Sequence, residues 1–296
     1  MKKLYGNKLT IFLFLLPALV LFISILIAPI FMSGYVSLFK LQGMNLSTRE
    51  FVGFDNYRKL FNGGTYDIKV ALKNAFLLAG LSVFIQLPLS LALALALGSG
   101  RKGERWFLSI NFMPVLISAV IIGMLWSKLC NPSYGVMNYI LDLLHIERPA
   151  GGLLANKNTI LGAVFTPVLW QYVGYHMLLM YAGVKSVPPE YREAAMIDGA
   201  SEAQVNRHIV LPFIKPIIKI SVIFAVTGSL KSYDLIAVMI GDTGVYEKAY
   251  VPSISMQRYL FKFNQFGLGS AVATMLIVLC FIFALIIGFV FREKED

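Results

Sequence analysis

Residues 186–212 read SVPPEYREAAMIDGASEAQVNRHIVLP, a polar stretch held between two apolar ones, residues 159–184 and 216–239. Its punctuation is helical. Ser186 can cap, Pro188 and Pro189 suit a first turn, and Tyr191, Ala194, Ala195 and Ile197 supply apolar positions before Gly199 breaks the helix. Ser201, followed three residues later by Gln204, reads as a capping box, and a second short helix runs on until Leu211-Pro212 stops it. The expected product is two short helices joined at a glycine bend, lying across one face of a membrane.

The flanking composition makes that face a bilayer surface. Of 296 residues 57% are hydrophobic and 14% charged, with mean hydropathy +0.71, against roughly 45–50% and about 25% in soluble domains. A spanning helix needs about 20 mostly apolar residues. Six segments meet that need: 11–39, 74–98, 106–127, 159–184, 216–239 and 268–291. All are expected within one transmembrane domain, residues 1–296, of an all-α integral membrane protein. With the fifth core counted to Leu230, short of its extension toward Met239, the 16 carboxylates fall outside the apolar cores, and Lys219, near the start of the fifth, is the cation within them. Lys231 and Asp234 interrupt the end of that fifth segment. The first segment is too long for a signal-peptide h-region and no small-x-small cleavage site follows it, so it reads as a retained helix.

The net charge of +10, from 26 Lys plus Arg against 16 Asp plus Glu, is parcelled into short stretches between spans. It is therefore not a nucleic-acid footprint. A raw count of cations ties between the two sides, so local density decides orientation. Lys2, Lys3 and Lys8 before the first span, with Arg101, Lys102 and Arg105 between the second and third, put the N-terminus inside. Six spans then return the C-terminus to the same side, leaving 185–215 as the one sizeable cytoplasmic loop. Cys130 and Cys280 form no disulfide or CxxC framework, and His145, His176 and His208 are too scattered to suggest a zinc site; no metal is expected.

Glu193-Ala194-Ala195, three residues, Gly199, nine residues, then Ile209-Val210-Leu211-Pro212 resembles the EAA loop of permease subunits of ATP-binding-cassette (ABC) importers. Every defining position matches at the family's spacing. The resemblance implies a type I importer permease whose loop docks on a cytoplasmic ATPase through Glu193, Ala194, Ala195, Asp198, Gly199, Ala200, Ile209, Leu211 and Pro212. Small alanines suit close helix approach, and Glu193 and Asp198 offer charge to a basic cleft. The alternative is an ordinary amphipathic surface loop, which is usually richer in Lys and Arg. Residues 51–61, FVGFDNYRKLF, are similar to the first outer loop of carbohydrate-importer permeases, of the type that pairs with a second, different permease. Tyr233-Asp234-Leu235-Ile236 resembles the segment after the family's fifth span, although Gly241-Asp242-Thr243-Gly244 replaces the glycine-rich turn ending in proline.

The implied partners are a second permease, two ATPase subunits, an extracytoplasmic substrate-binding protein and the bilayer, in a bacterial cytoplasmic membrane. No GxxxxGK[ST] loop occurs, so ATP and Mg²⁺ are expected on the ATPase subunits, with no cofactor in this chain and no enzymatic activity of its own. In the fourth span, Gln171 and Tyr175 lie four apart on one helix face, with Tyr172 three before Tyr175. Aromatic faces and amide or phenol groups suit a neutral sugar. The resemblance to maltose-type importers implies substrate contacts at Gln171, Tyr172 and Tyr175, and at Gly228 and Ser229 in the fifth span. The same residues also suit interfacial aromatics and interhelical hydrogen bonding, and His176 reads as helix packing. Import of a phosphorylated polyol, a self-sufficient carrier or channel, and a membrane-embedded enzyme are the other readings; an ion-coupled carrier lacks intramembrane carboxylates, and an enzyme lacks a polar cluster at membrane depth.

Overall fold

Apolar segments longer than a soluble helix needs become helices here because a backbone in lipid must satisfy its own hydrogen bonds. A computed structural model describes residues 8–43, 49–62, 68–98, 103–241 and 248–292. Lys2, Lys3, Arg101, Lys102, residues 242–244 and the tail 293–296 lie outside the described residues. In chain order the helices are α1 (Lys8–Phe22), α2 (Ala28–Val36), α3 (Asp55–Phe61), α4 (Ile68–Leu81), α5 (Leu87–Gly98), α6 (Glu104–Leu116), α7 (Ala119–Leu129) and α8 (Val136–Leu143). They continue with α9 (Ile160–Ser186), α10 (Pro189–Ile197), α11 (Glu202–Val205), α12 (Leu211–Phe213), α13 (Lys215–Leu230), α14 (Asp234–Ile240), α15 (Pro252–Gln257) and α16 (Phe266–Val290). Two short strands, β1 (Phe39–Lys40) and β2 (Glu50–Phe51), pair antiparallel with Phe39 opposite Phe51.

By length and composition four helices can cross a membrane: Ile11–Val36, Ile68–Gly98, Lys215–Ile240 and Phe266–Val290. The expected third span, 106–127, is not one rod. It divides into α6 and α7, bent by 94° at Ile117-Ser118, and counts as a fifth crossing when the pair is taken together. Pro114 lies just before the break, where Ile117 and Ser118 turn extended. The expected fourth span, α9, has 27 residues, about 40 Å at 1.5 Å per residue. It is long enough to cross but less apolar, because Trp170 to His176 occupies its middle. The first and second spans also shift: the first ends at Val36, with Phe39 already in β1, and the second begins at Ile68, enclosing Asn74.

Wide π turns accompany the prolines. Three of the four among the described residues, Ile23–Ile27, Ser82–Gln86 and Asn206–Val210, end two residues before Pro29, Pro88 and Pro212. In each, the residue preceding the proline donates five residues back: Ala28 to Ile23, Leu87 to Ser82, Leu211 to Asn206. A proline ring clashes with the carbonyl four residues earlier, and the wider turn relieves that clash while keeping the axis continuous. Pro212 therefore does not stop the second loop helix as expected; the helical path runs through α12 to Phe213.

The chain divides into two compact units, residues 1–67 with 255–277, and residues 68–254 with 278–296. In the first, the FVGFDNYRKLF segment forms β2 and α3, and its Asn56 is buried, donating Nδ2 hydrogen bonds to the Ser37 and Phe39 carbonyls at 2.7 and 2.9 Å. In the second, α5 lies along α9 through Leu87, Ala94, Leu97, Met177 and Met180, joined by Ala225 of α13. Ser90 Oγ donates to the Val173 carbonyl at 2.9 Å and Gln86 Nε2 to that of Leu169 at 2.7 Å, hydrogen bonds that tie adjacent helices where no water competes.

Candidate functional site: the loop and the cavity joined by α9

Two features of the second unit sit on one helix. At the C-terminal end of α9 the chain leaves through Val187 and Pro188 into α10. Ser186 does not cap α10 as expected; its Oγ donates back to Gly183 at 2.7 Å, closing α9, and Pro188 occupies the N-cap position. The α10 C-terminus is a Schellman arrangement, in which Ala200 N–H reaches the Ala195 carbonyl at 2.9 Å and Gly199 N–H that of Met196 at 3.1 Å. It requires Gly199 at φ +86°, a left-handed conformation that a Cβ disfavours. The capping box forms as read: Gln204 Oε1 accepts from Ser201 N–H at 2.8 Å, and Gln204 N–H reaches Ser201 Oγ at 3.4 Å.

Burial sorts the predicted loop residues. Val205, Val210 and Ile214 are buried with Val184 and Val187, and Ala195, Ala200, Ile209 and Leu211, like Leu91, Leu95 and Ile218, are partly buried against that cluster. Glu193, Ala194, Asp198, Gly199 and Pro212 remain exposed, beside Tyr191, Met196 and Ile197. Arg192 turns inward and donates to the Val184 carbonyl at 3.3 Å, matching a cation to a helix C-terminus. Beside it Tyr181 donates to the Glu104 carboxylate, which also holds Lys185 at 3.2 Å. The start of α6 is thus tied to the end of α9 where the loop leaves.

Nearer the middle of α9 opens a cavity of about 350 Å³. Gln171, Tyr172, Tyr175, Gly228 and Ser229 all line it. Gln171 is buried, and its Nε2 donates to the Pro114 and Ile117 carbonyls at 3.4 and 3.3 Å, the two carbonyls that flank the α6–α7 break. Tyr172 is 42% exposed. Tyr175 tilts against Phe224 at 6.4 Å between ring centroids. Ser229 Oγ donates to Ala225 and meets Ser82 Oγ at 3.1 Å. Gly228 presents bare backbone, with open space where a Cβ would stand.

Several cavity residues were not singled out from sequence. Ser82 and Gln86, with Ser90 behind them, repeat every four residues along an apolar span, a stripe that periodicity alone could have flagged. Lys231, Ser232, Tyr233 and Asp234 reach the wall because α13 stops at Leu230 and α14 restarts at Asp234. The interruption that Lys231 and Asp234 make in the fifth segment is thus a break in the helix that exposes one cation and one carboxylate to the cavity. His176, read as a packing residue, is 3% exposed and lines the cavity with no hydrogen-bond partner for Nδ1.

Comparison with known proteins gives a consistent picture. The family described as "binding-protein-dependent transport system inner membrane component" matches residues 86–295. A probable ABC transporter permease of Pyrococcus horikoshii is 32% identical over 93% of each chain. The trehalose/maltose transport system permease of Thermococcus litoralis is 28% identical over 96% of this chain and 94% of its own. The diacetylchitobiose uptake system permease of Streptomyces coelicolor is 28% identical over 98% and 85%. A chain in the crystal structure of a bacterial ABC transporter that imports alginate shares the fold, with TM-score 0.82, 24% identity and coverage of 100% and 99%.

Proposed function

Because the chain belongs to the family of binding-protein-dependent transport system inner membrane components, and is a multi-pass helical membrane protein of the ABC importer permease fold, we propose that it lines the path of a sugar or oligosaccharide importer. It does so together with a second permease. Two cytoplasmic ATPase subunits bind ATP and Mg²⁺ and dock on 185–215, and an extracytoplasmic binding protein delivers the solute. The names of its relatives, which carry diacetylchitobiose, trehalose and maltose, support the substrate class. The termini lie on the cytoplasmic side, in a bacterial cytoplasmic membrane.

One observation carries the mechanism: α9 runs unbroken from the cavity residues Gln171 to His176 to the loop at Ser186. The loop is clamped to that helix end by Val205, Val210 and Ile214, while Glu193, Ala194 and Asp198 stay free on its outer face. A push on α10 by closing ATPases is therefore delivered to α9, and the cavity wall moves with it. Glu193→Lys and Gly199→Pro are expected to abolish uptake and substrate-stimulated ATP hydrolysis while the chain still inserts. Normal uptake by both in a complementation assay would sink the lever role.

A second reading, an anionic sugar or phosphorylated polyol, is favoured by Lys231 at the cavity wall. Lys231→Ala distinguishes the two: a wild-type chain that takes up an anionic solute and loses that uptake in the variant supports the second reading, whereas a wild-type chain that takes up only neutral sugars, at a rate the variant keeps, supports the first.

A further inference from the structure

Between α7 and α9 lies α8, whose amphipathy is inverted relative to a helix on a water-soluble core. Its buried polar residue, Asn138, faces the protein and is fixed there, Nδ2 donating to the Asn131 and Pro132 carbonyls at 2.9 and 3.1 Å. Val136, Tyr139, Ile140, Leu143 and Leu144, at the i, i+3, i+4, i+7, i+8 spacing of one helix face, point away and are 42–80% exposed. Ile146, just beyond the helix, is 51% exposed.

Its place says what covers it. The α9 helix begins at Ile160 and ends at the coupling loop, so its 27 residues, about 40 Å of helix, carry segment 130–159 to the opposite membrane surface. Along α7, Ile121, Met124 and Leu125 are exposed in the same apolar manner up to the turn that leads into α8. Tyr134 and Tyr139, 60% and 70% exposed, have the amphipathic rings that settle at headgroup level. Lys128 and Lys157 are exposed at the two ends of the segment, where cations meet lipid phosphates. A water-facing surface would not collect five large apolar side chains around a helix of eight residues.

We propose that α8 is an in-plane anchor, its Val136–Leu144 face immersed in the headgroup–acyl boundary of the outer leaflet and its flanking lysines on lipid phosphates. It fixes the depth of the α7 end, whose α6–α7 break is held by Gln171 in the cavity wall. The inference rests on the membrane fold and not on what is transported.

The test uses the full chain in nanodiscs of phosphatidylethanolamine and phosphatidylglycerol, with Cys130→Ser and Cys280→Ser as background and single spin labels at Tyr139→Cys, Leu143→Cys and Glu147→Cys. Labels at 139 and 143 should collide severalfold more with oxygen relative to an aqueous nickel chelate than the label at 147. A nickel-accessible pattern at both, meaning water, overturns the proposal. So does low access to both reagents, meaning protein packing. A native-like elution profile of each labelled chain excludes misfolding as the source of either pattern. A failed transport reading would leave the pattern at 139 and 143 unchanged.

Discussion

Gly174 in α9 and Gly228 in α13 are the same residue with opposite demands. A Cβ at Gly174 would overlap the Asn111 carbonyl and press on Phe112 at 3.0 Å, whereas one at Gly228 would meet nothing. Gly174→Ala should therefore separate α6 from α9 and cost about 1–3 kcal/mol, seen as a lower melting temperature in detergent. Gly228→Ala should leave that temperature unchanged within error and instead weaken uptake, because the new methyl enters the cavity. Equal effects on melting would show that the cavity is not open at Gly228. Gly199 was legible as a break in the sequence, but its left-handed φ was not; at φ +86° an alanine costs roughly 1–2 kcal/mol, so Gly199→Ala should loosen the loop measurably without preventing insertion.

At the scale of elements, the proposed lever needs a loop that is rigid on its helix. Val210 is fully buried, and Val210→Ala should weaken its seat on α9 enough to lower the ratio of transport to ATP hydrolysis in reconstituted complexes, with insertion intact. An unchanged ratio would mean that α10 alone transmits force. Ser201→Ala removes the capping box that starts α11 and should cost about 1 kcal/mol, read as faster protease cleavage within 198–206. The helix starts and the glycine bend were readable from residue type, because caps and breaks depend on neighbours a few residues away. The fate of Pro212 was not, because a proline either ends a helix or rides on a wide turn, and the choice depends on what the following turn packs against. Ser186 failed as a cap for a related reason: a hydroxyl at a junction can serve the helix before it or the helix after it, and α9 was nearer.

For the whole molecule, the absence of a phosphate-binding loop in the sequence leads to one expectation: the purified chain should hydrolyse no ATP, and activity should appear only in complexes that contain separate ATPase subunits. ATP hydrolysis by the purified chain, lost on a point mutation in this chain, would falsify that division of labour. The sequence by itself determined the membrane class and the helical build, which rest on composition and periodicity along one chain, and the residues of the 185–215 loop carried the resemblance to the family. That resemblance also named Gln171, Tyr172, Tyr175, Gly228 and Ser229, as separate positions on two spans. Only the tertiary structure decided that these five share one cavity, that Ser82, Gln86 and His176 join them, and that the break after Leu230 brings Lys231 and Asp234 to the same wall. It alone turned the third span through 94°. Hydropathy averages over a window and records how much of a helix avoids water, but a cavity is made by side chains from several helices converging, and by the few backbone breaks that an average conceals.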